Sequence, residues 1–256
     1  MIPIIKYFWL HTKKSSLLHI SLLSLILIAV VGIFIVKIAI LEEIETSVVF
    51  TGTLLRNVFI VLMIVFISNT INQLYEHRQF EFILTKAIPR IYIPIAFFTI
   101  LALLALKFAL LSGIILYCFK ARLHGIVLYS VSLFGELLAL ASFTMAVALI
   151  LKRNLLITLT AIGFYSLSRL AGFLVMIGKN DINSFSFERA HEWILQRLMN
   201  LFTLIFPRFD LVTQTEWLIY TNIIETMLFA KLMISLILFS LLLLAVGCHD
   251  FKKQEF

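Results

Sequence analysis

Lys107, Glu136 and Arg169 are ionisable residues that stand deep inside long apolar runs of this chain. A charge held at mid-bilayer costs on the order of 3 kcal/mol on insertion scales, so such residues face protein or a water-lined path and pair where they can. Counted from the outer ends of their runs at 1.5 Å per residue, they lie roughly 18, 16 and 12 Å deep, which is one layer. Two kinds of chemistry fit that layer. One is a structural ion network locking three helices; the other is a polar lining of a substrate path with one positive charge in excess. The familiar catalytic signatures are absent: there is no HExxH, no GxSxG and no pair of carboxylates within one apolar run. His191 and His249 have no partner at metal-ligand spacing. Cys118 and Cys248 end different apolar runs with no CxxC neighbour and read as small apolar filler.

The elements that position these residues follow from composition. The chain has 256 residues, 62% of them hydrophobic and 14% charged, with a mean hydropathy of +1.07. A soluble domain is about 45–50% apolar and about 25% charged. The excess requires lipid as a second apolar solvent. The net charge of +7 is scattered between apolar runs rather than gathered in a solvated stripe, which argues against nucleic acid.

Six apolar runs of crossing length are expected as helices, because lipid offers backbone amides no partner. They lie near Leu17–Val36, Leu54–Ile71, Ile91–Phe119, Gly125–Leu151, Leu155–Ile177 and Met227–Gly247. No small-x-small cleavage site follows the first, so it is expected to remain as a span. Before it, Ile4, Ile5, Phe8 and Trp9 with Lys6, Lys13 and Lys14 predict a short interfacial helix. Between the fifth and sixth runs, Ile194, Leu198, Leu201, Phe202 and Ile205 recur at helical spacing up to Pro207 and predict an outer-surface helix, with His191, Glu192 and Arg197 largely off its apolar face. The fold class is therefore all-α integral membrane, one transmembrane domain over residues 1–256.

Orientation follows from the loops. With the N-terminus inside, ten Lys and Arg fall in cytoplasmic segments and four, Lys37, Arg56, Lys120 and Arg122, in short outer loops. Both termini are expected in the cytoplasm of a multi-pass inner-membrane protein. Trp9, Tyr75, Tyr92, Tyr117, Tyr129 and Trp217 fall near the predicted boundaries, where amphipathic rings are stable.

The segment after the second span reads EHRQFEFILTKAIPR, Glu76 to Arg90. Phe80, Ile83, Leu84 and Ala87 recur at i, i+3, i+4 and i+7 and make one apolar stripe. Glu76, His77, Arg78, Glu81 and Lys86 cover most of the remainder, and Pro89 ends the helix. A short amphipathic helix held at the membrane surface is a docking element, for lipid or for a groove on a cytoplasmic protein.

Here the chain resembles the permeases of type-2 ABC exporters, which carry a pattern close to E-R-x-x-G-T-L-E-x-L-L-x-x-P-x-S-R after their second span. Glu76, Phe82 and Pro89 stand in matching places with the same Glu-to-Pro spacing, Arg78 and Leu84 each lie one residue from the pattern's arginine and leucine pair, and Arg90 lies close to the terminal basic position. Phe80 replaces the usual glycine. The tail HDFKKQEF is similar to the family's short basic ending. The resemblance implies that Glu76–Arg90 is a coupling helix docking on a separate ABC ATPase, and that the complex contains a second permease copy or a sister permease. It implies no cofactor in this chain, since ATP and magnesium belong to the partner; nine dispersed glycines with no GxxxxGK[ST] loop agree. Two other classes compete. An ion- or proton-coupled secondary transporter would use Lys107, Glu136 and Arg169, but no inverted repeat or broken-helix pair is visible. An intramembrane enzyme lacks its motifs.

Overall fold

The computed structural model describes residues 2–14, 17–38, 43–76, 89–180, 197, 207–220 and 226–253. Among them there is no strand, as expected where backbone groups must be satisfied within each segment. The helices are α1 (Ile2–Lys14), α2 (Leu17–Ile38), α3 (Glu43–Glu76), α4 (Tyr92–Cys118), α5 (Leu123–Leu151), α6 (Asn154–Asn180), α7 (Phe209–Val212) and α8 (Thr226–Lys253), with a 3₁₀ turn at Glu216–Leu218. Five stretches are long and apolar enough to cross a membrane: Ile44–Glu76, Tyr92–Cys118, Leu123–Leu151, Asn154–Gly172 and Met227–Lys253. The first expected span corresponds to α2, whose described apolar stretch, Leu23–Ile35, is shorter than crossing length.

The largest departure from the sequence reading is α3. It begins at Glu43, eleven residues before the expected start at Leu54. Thr46, Ser47, Thr51 and Thr53 lower the local hydropathy, yet Ser47 and Thr53 donate to carbonyls of their own helix, those of Ile44 and Val49. Arg56, assigned above to an outer loop, is consequently well inside a helix and 1% exposed.

The bundle is organised around α5, which packs against α3, α4, α6 and α8. Small residues allow the close approach to α8: Gly135 faces Met233 and Leu236, and Ala146 faces Gly247. A two-residue link, Lys152 and Arg153, joins α5 to α6, with Lys152 in the left-handed region at φ 52°. The amphipathic α1 lays Phe8 against Phe97 of α4 at 5.3 Å between centroids and leaves Lys6 and Trp9 exposed. Phe8, Ile71, Leu74, Ile93, Leu149 and Phe251 line one small apolar cavity. That cavity places α1, the end of α3, the start of α4 and the ends of α5 and α8 at the same face of the bundle.

At the opposite end, residues 207–220 fold inward rather than lying on top. Phe209, Val212, Trp217 and Leu218 are buried. Two glycines make room for them. A Cβ on Gly125 would stand 2.4 Å from the Trp217 carbonyl oxygen and 2.9 Å from Leu218 Cα, and a Cβ on Gly172 would stand 2.1 Å from an Asp210 carboxylate oxygen. Tyr129 and Trp217 are accordingly core residues here, not boundary anchors, because each satisfies its polar tip inside the protein: Tyr129 on the Gly52 carbonyl and Trp217 on Gln214. Tyr92, Tyr117 and Trp9 remain exposed, as a boundary position requires. The expected outer helix over Ile194–Ile205 lies outside the described residues, apart from Arg197, which is helical.

The contact at Gly125 is with backbone, which cannot yield as a side chain can. Gly125→Ala is predicted to lower unfolding free energy by about 1–3 kcal/mol, measured by thermal unfolding in nanodiscs. Gly163→Ala, where the new methyl meets nothing within 4 Å, is predicted to be neutral or mildly stabilising. Equal effects of the two would contradict the inward fold of residues 207–220.

Candidate functional site

Glu136 sits near the middle of α5, 13 residues from Leu123 and 15 from Leu151, and is fully buried. Its carboxylate meets two neighbours. Arg56 of α3 brings Nε to 3.6 Å from Oε2, and Tyr165 of α6 donates its hydroxyl to Oε1 at 3.0 Å. Three helices thus converge on one carboxylate. Arg56 fans its remaining donors outward: Nη2 donates to Ser132 Oγ at 2.9 Å and Nη1 to the Val212 carbonyl at 3.3 Å. Its guanidinium lies 4.8 Å over the Tyr129 ring. Ser132 Oγ donates to the Tyr129 carbonyl and Tyr129 donates to the Gly52 carbonyl. One cation therefore ties α3 and α5 to the inward-folded segment 207–220.

At 3.6 Å the Arg56–Glu136 contact is an ion pair and not a hydrogen bond. Arg56 Nε and Glu136 Oε2 are the atoms of this cluster that have no hydrogen bond. Their mutual attraction, at 1% and 0% exposure, is what offsets their removal from water.

Arg169 extends the cluster on α6. Its Nη1 donates to Tyr165 Oη at 3.2 Å and to Asn57 Oδ1 of α3 at 3.4 Å. Tyr165 is a relay in polarity: its single O–H points to Glu136 and its lone pair receives Arg169. Arg169 is half-buried and Asn57 is exposed.

Glu136 and Arg169, two of the three residues singled out from sequence, are thus brought together through Tyr165. Lys107 is not. It is exposed on α4 in a stripe with Leu103, Leu106, Leu110 and Ile114, with no ion pair or hydrogen bond among the described residues. The partner that Glu136 takes is Arg56. The depth count grouped Lys107 with the other two, but it lies on the exposed face of α4, turned away from the core. Arg56 was missed because, as the third residue of the expected run Leu54–Ile71, it was counted with the outer loop; the start of α3 at Glu43 takes it well into the helix. The signal available was Glu136 itself: a carboxylate at that depth demands a cation, and Arg56 lies on a neighbouring run.

A second polar seam joins the halves of α3 and α6 nearer α1. Ser68 donates to the Asn154 side chain, and also to its carbonyl at 2.9 Å. The Asn154 amide donates to Asn69, and Thr158 donates to Ser68 at 3.1 Å.

Of the segment Glu76–Arg90, the described residues are Glu76, Pro89 and Arg90. Glu76 closes α3 and accepts from Asn72 Nδ2 at 2.7 Å. The Pro89 and Arg90 carbonyls accept from Tyr92 and Ile93 and so start α4. Arg78, Phe80, Phe82, Ile83, Leu84 and Ala87 lie outside the described residues. No three His, Cys, Asp or Glu residues converge in a metal-ligating group among the described residues.

No family model matches the chain, and no curated protein matches it.

Removing one partner of a buried ion pair strands the other. Arg56→Met is predicted to cost about 3–5 kcal/mol of unfolding free energy, and the double change Arg56→Met with Glu136→Met to recover most of it. A loss below about 1 kcal/mol for Arg56→Met, the scale of an exposed pair, would show that the pair does not carry the core.

Proposed function

We propose that this chain is the membrane-spanning permease subunit of an ABC exporter, moving its substrate with ATP hydrolysed by a separate subunit. The observation that carries the reading is the segment Glu76–Arg90. Its residues Glu76, Phe82 and Pro89 fall in register with the coupling-helix pattern, Arg78 and Leu84 stand one residue from its arginine and its leucine pair, and its ends lie where α3 leaves and α4 enters the bundle. That end of the bundle also holds α1 and the C-terminal end of α8 with Lys252 and Lys253. With Arg56 inside a helix, the short outer loops keep three basic residues against ten on the other side, which supports cytoplasmic termini.

In this reading α2 is the sixth crossing, and the membrane is the cytoplasmic one. Two permease chains, both copies of this one or one of them a sister chain, stand on two ATPases. Closure of the ATPases on ATP draws the two coupling helices together. The displacement enters α3 and α4 directly, since Glu76 ends α3 and Arg90 stands two residues before the start of α4. It reaches α5 and α6 through the Arg56–Glu136–Tyr165 cluster.

A secondary transporter is the competing reading, favoured by a carboxylate at mid-span. Transport that persists with the ion gradients collapsed and stops without ATP separates the two.

Phe80→Asp together with Leu84→Asp is predicted to abolish copurification of the ATPase while leaving expression and thermal unfolding of the permease unchanged. Each buried apolar anchor at such an interface contributes about 2 kcal/mol or more, so the pair lowers ATPase affinity at least about a hundredfold. Retained ATPase binding and transport would defeat the docking role.

A further inference from the structure

Arg169 is the surplus charge of the mid-span cluster. Arg56 and Glu136 neutralise each other, and the groups that hold Arg169, Tyr165 and Asn57, are neutral. Both of its hydrogen bonds leave from Nη1, so Nη2 and Nε have no partner among the described residues. The guanidinium is half-buried and the neighbouring Asn57 is exposed. Arg169 lies 15 residues into α6, about 22 Å from its first residue. A free cation at that depth is a standing cost that an anion would remove.

What surrounds it decides which anion. Phe50 and Val61 stand seven residues before and four after Asn57, on the same face of α3, and both are exposed. Ile162 stands seven residues before Arg169 on the same face of α6 and is exposed too. A charged, forked donor is therefore framed by lipid-facing apolar surface on both helices. A hydrated anion would have to shed its water against that frame. An anion carried on an acyl chain would lay the chain along it.

We propose that Arg169, with Asn57 beside it, is the recognition point for the acidic head of an acyl-chain amphiphile that comes in between α3 and α6 from the bilayer. On the exporter reading, on which this step rests, that amphiphile is the substrate, and its head passes this depth as it crosses. Arg169 offers the bidentate fork suited to phosphate or carboxylate. Tyr165 and Asn57 position it without cancelling its charge.

The test uses the full chain in phosphatidylcholine nanodiscs and two photoreactive probes with the same diazirine-bearing tail, lysophosphatidic acid and lysophosphatidylcholine. The acid probe is expected to label the α3 and α6 peptides around Val61 and Ile162 about tenfold more than the choline-capped probe, the scale of a charge-assisted hydrogen bond. Arg169→Gln should bring the two probes level, and Arg169→Lys should keep most of the preference. Thermal unfolding of both variants guards against misfolding. Millimolar glycerol phosphate should not compete. Equal labelling by the two probes, preference surviving Arg169→Gln, or competition by glycerol phosphate would each overturn the proposal. The readout is binding and needs no ATPase. Labelling as described with no ATPase ever copurifying would uphold the anion site and remove the exporter reading, and the reverse result would do the opposite.

Discussion

Arg56 and Glu136 face each other at 3.6 Å in the part of the molecule least able to solvate either. Neither charge is tolerable alone at that depth, so wherever one goes the other must follow. Because one is on α3 and the other on α5, the relative rotation and height of those two helices are set together. Tyr165 adds α6 by the same carboxylate. Arg56 adds the segment 207–220 by the Val212 carbonyl. Apolar side chains in lipid supply no comparable instruction, since packing against a neighbouring helix and packing against an acyl chain are nearly alike.

The same constraint explains where small residues are needed. Once Arg56 holds Val212, the chain from Phe209 to Leu218 has to run through the half of the bundle far from α1. The room comes from Gly125 and Gly172, where any Cβ would collide with Trp217 or Asp210. Aromatic faces complete the filling: Phe209 meets Phe164 edge-on, and Phe164 stacks on Phe143 at 3.7 Å between centroids. At the end of the bundle far from α1, the described residues 209–218 fill the space between the helices, with Arg56 and Tyr129 satisfying their polar groups inside the protein. On the exporter reading, opening a path to the outside means moving this segment against the ion pair that holds it.

Much of the helical layout was legible because lipid permits so few alternatives. The ends of α4, α5 and α6 fall within a few residues of the apolar limits at Ile91–Phe119, Gly125–Leu151 and Leu155–Ile177. The start of α3 was not legible. Hydroxyl side chains at Ser47 and Thr53 read as polar in a sequence, yet they bond back to their own helix and stay within it. With the start set at Leu54, Arg56 fell at the edge of the run and was counted with the loop, which left Glu136 without its partner. Depth along a run is countable, and Glu136 and Arg169, counted to similar depths, do meet through Tyr165. Azimuth is not countable in a helix that is apolar all round, so Lys107 was grouped with a core it faces away from. Tyr129 and Trp217 misled for the same reason: proximity to a run's end says nothing about which way a ring points. The inward fold of residues 207–220 had no periodic signal at all, since it depends on tertiary contacts with glycines far away in sequence.

The central claim is that a charged pair at mid-bilayer fixes the arrangement of α3, α5 and α6. The most direct measurement is a solid-state NMR dipolar recoupling experiment between ¹³C at the Glu136 carboxyl and ¹⁵N at the Arg56 guanidinium, in lipid bilayers. The account predicts clear dephasing, matching the 3.6 Å Nε to Oε2 contact, and its loss in Glu136→Gln. An undiminished carboxyl signal with no recoupling to Arg56 in the folded wild-type protein would contradict it.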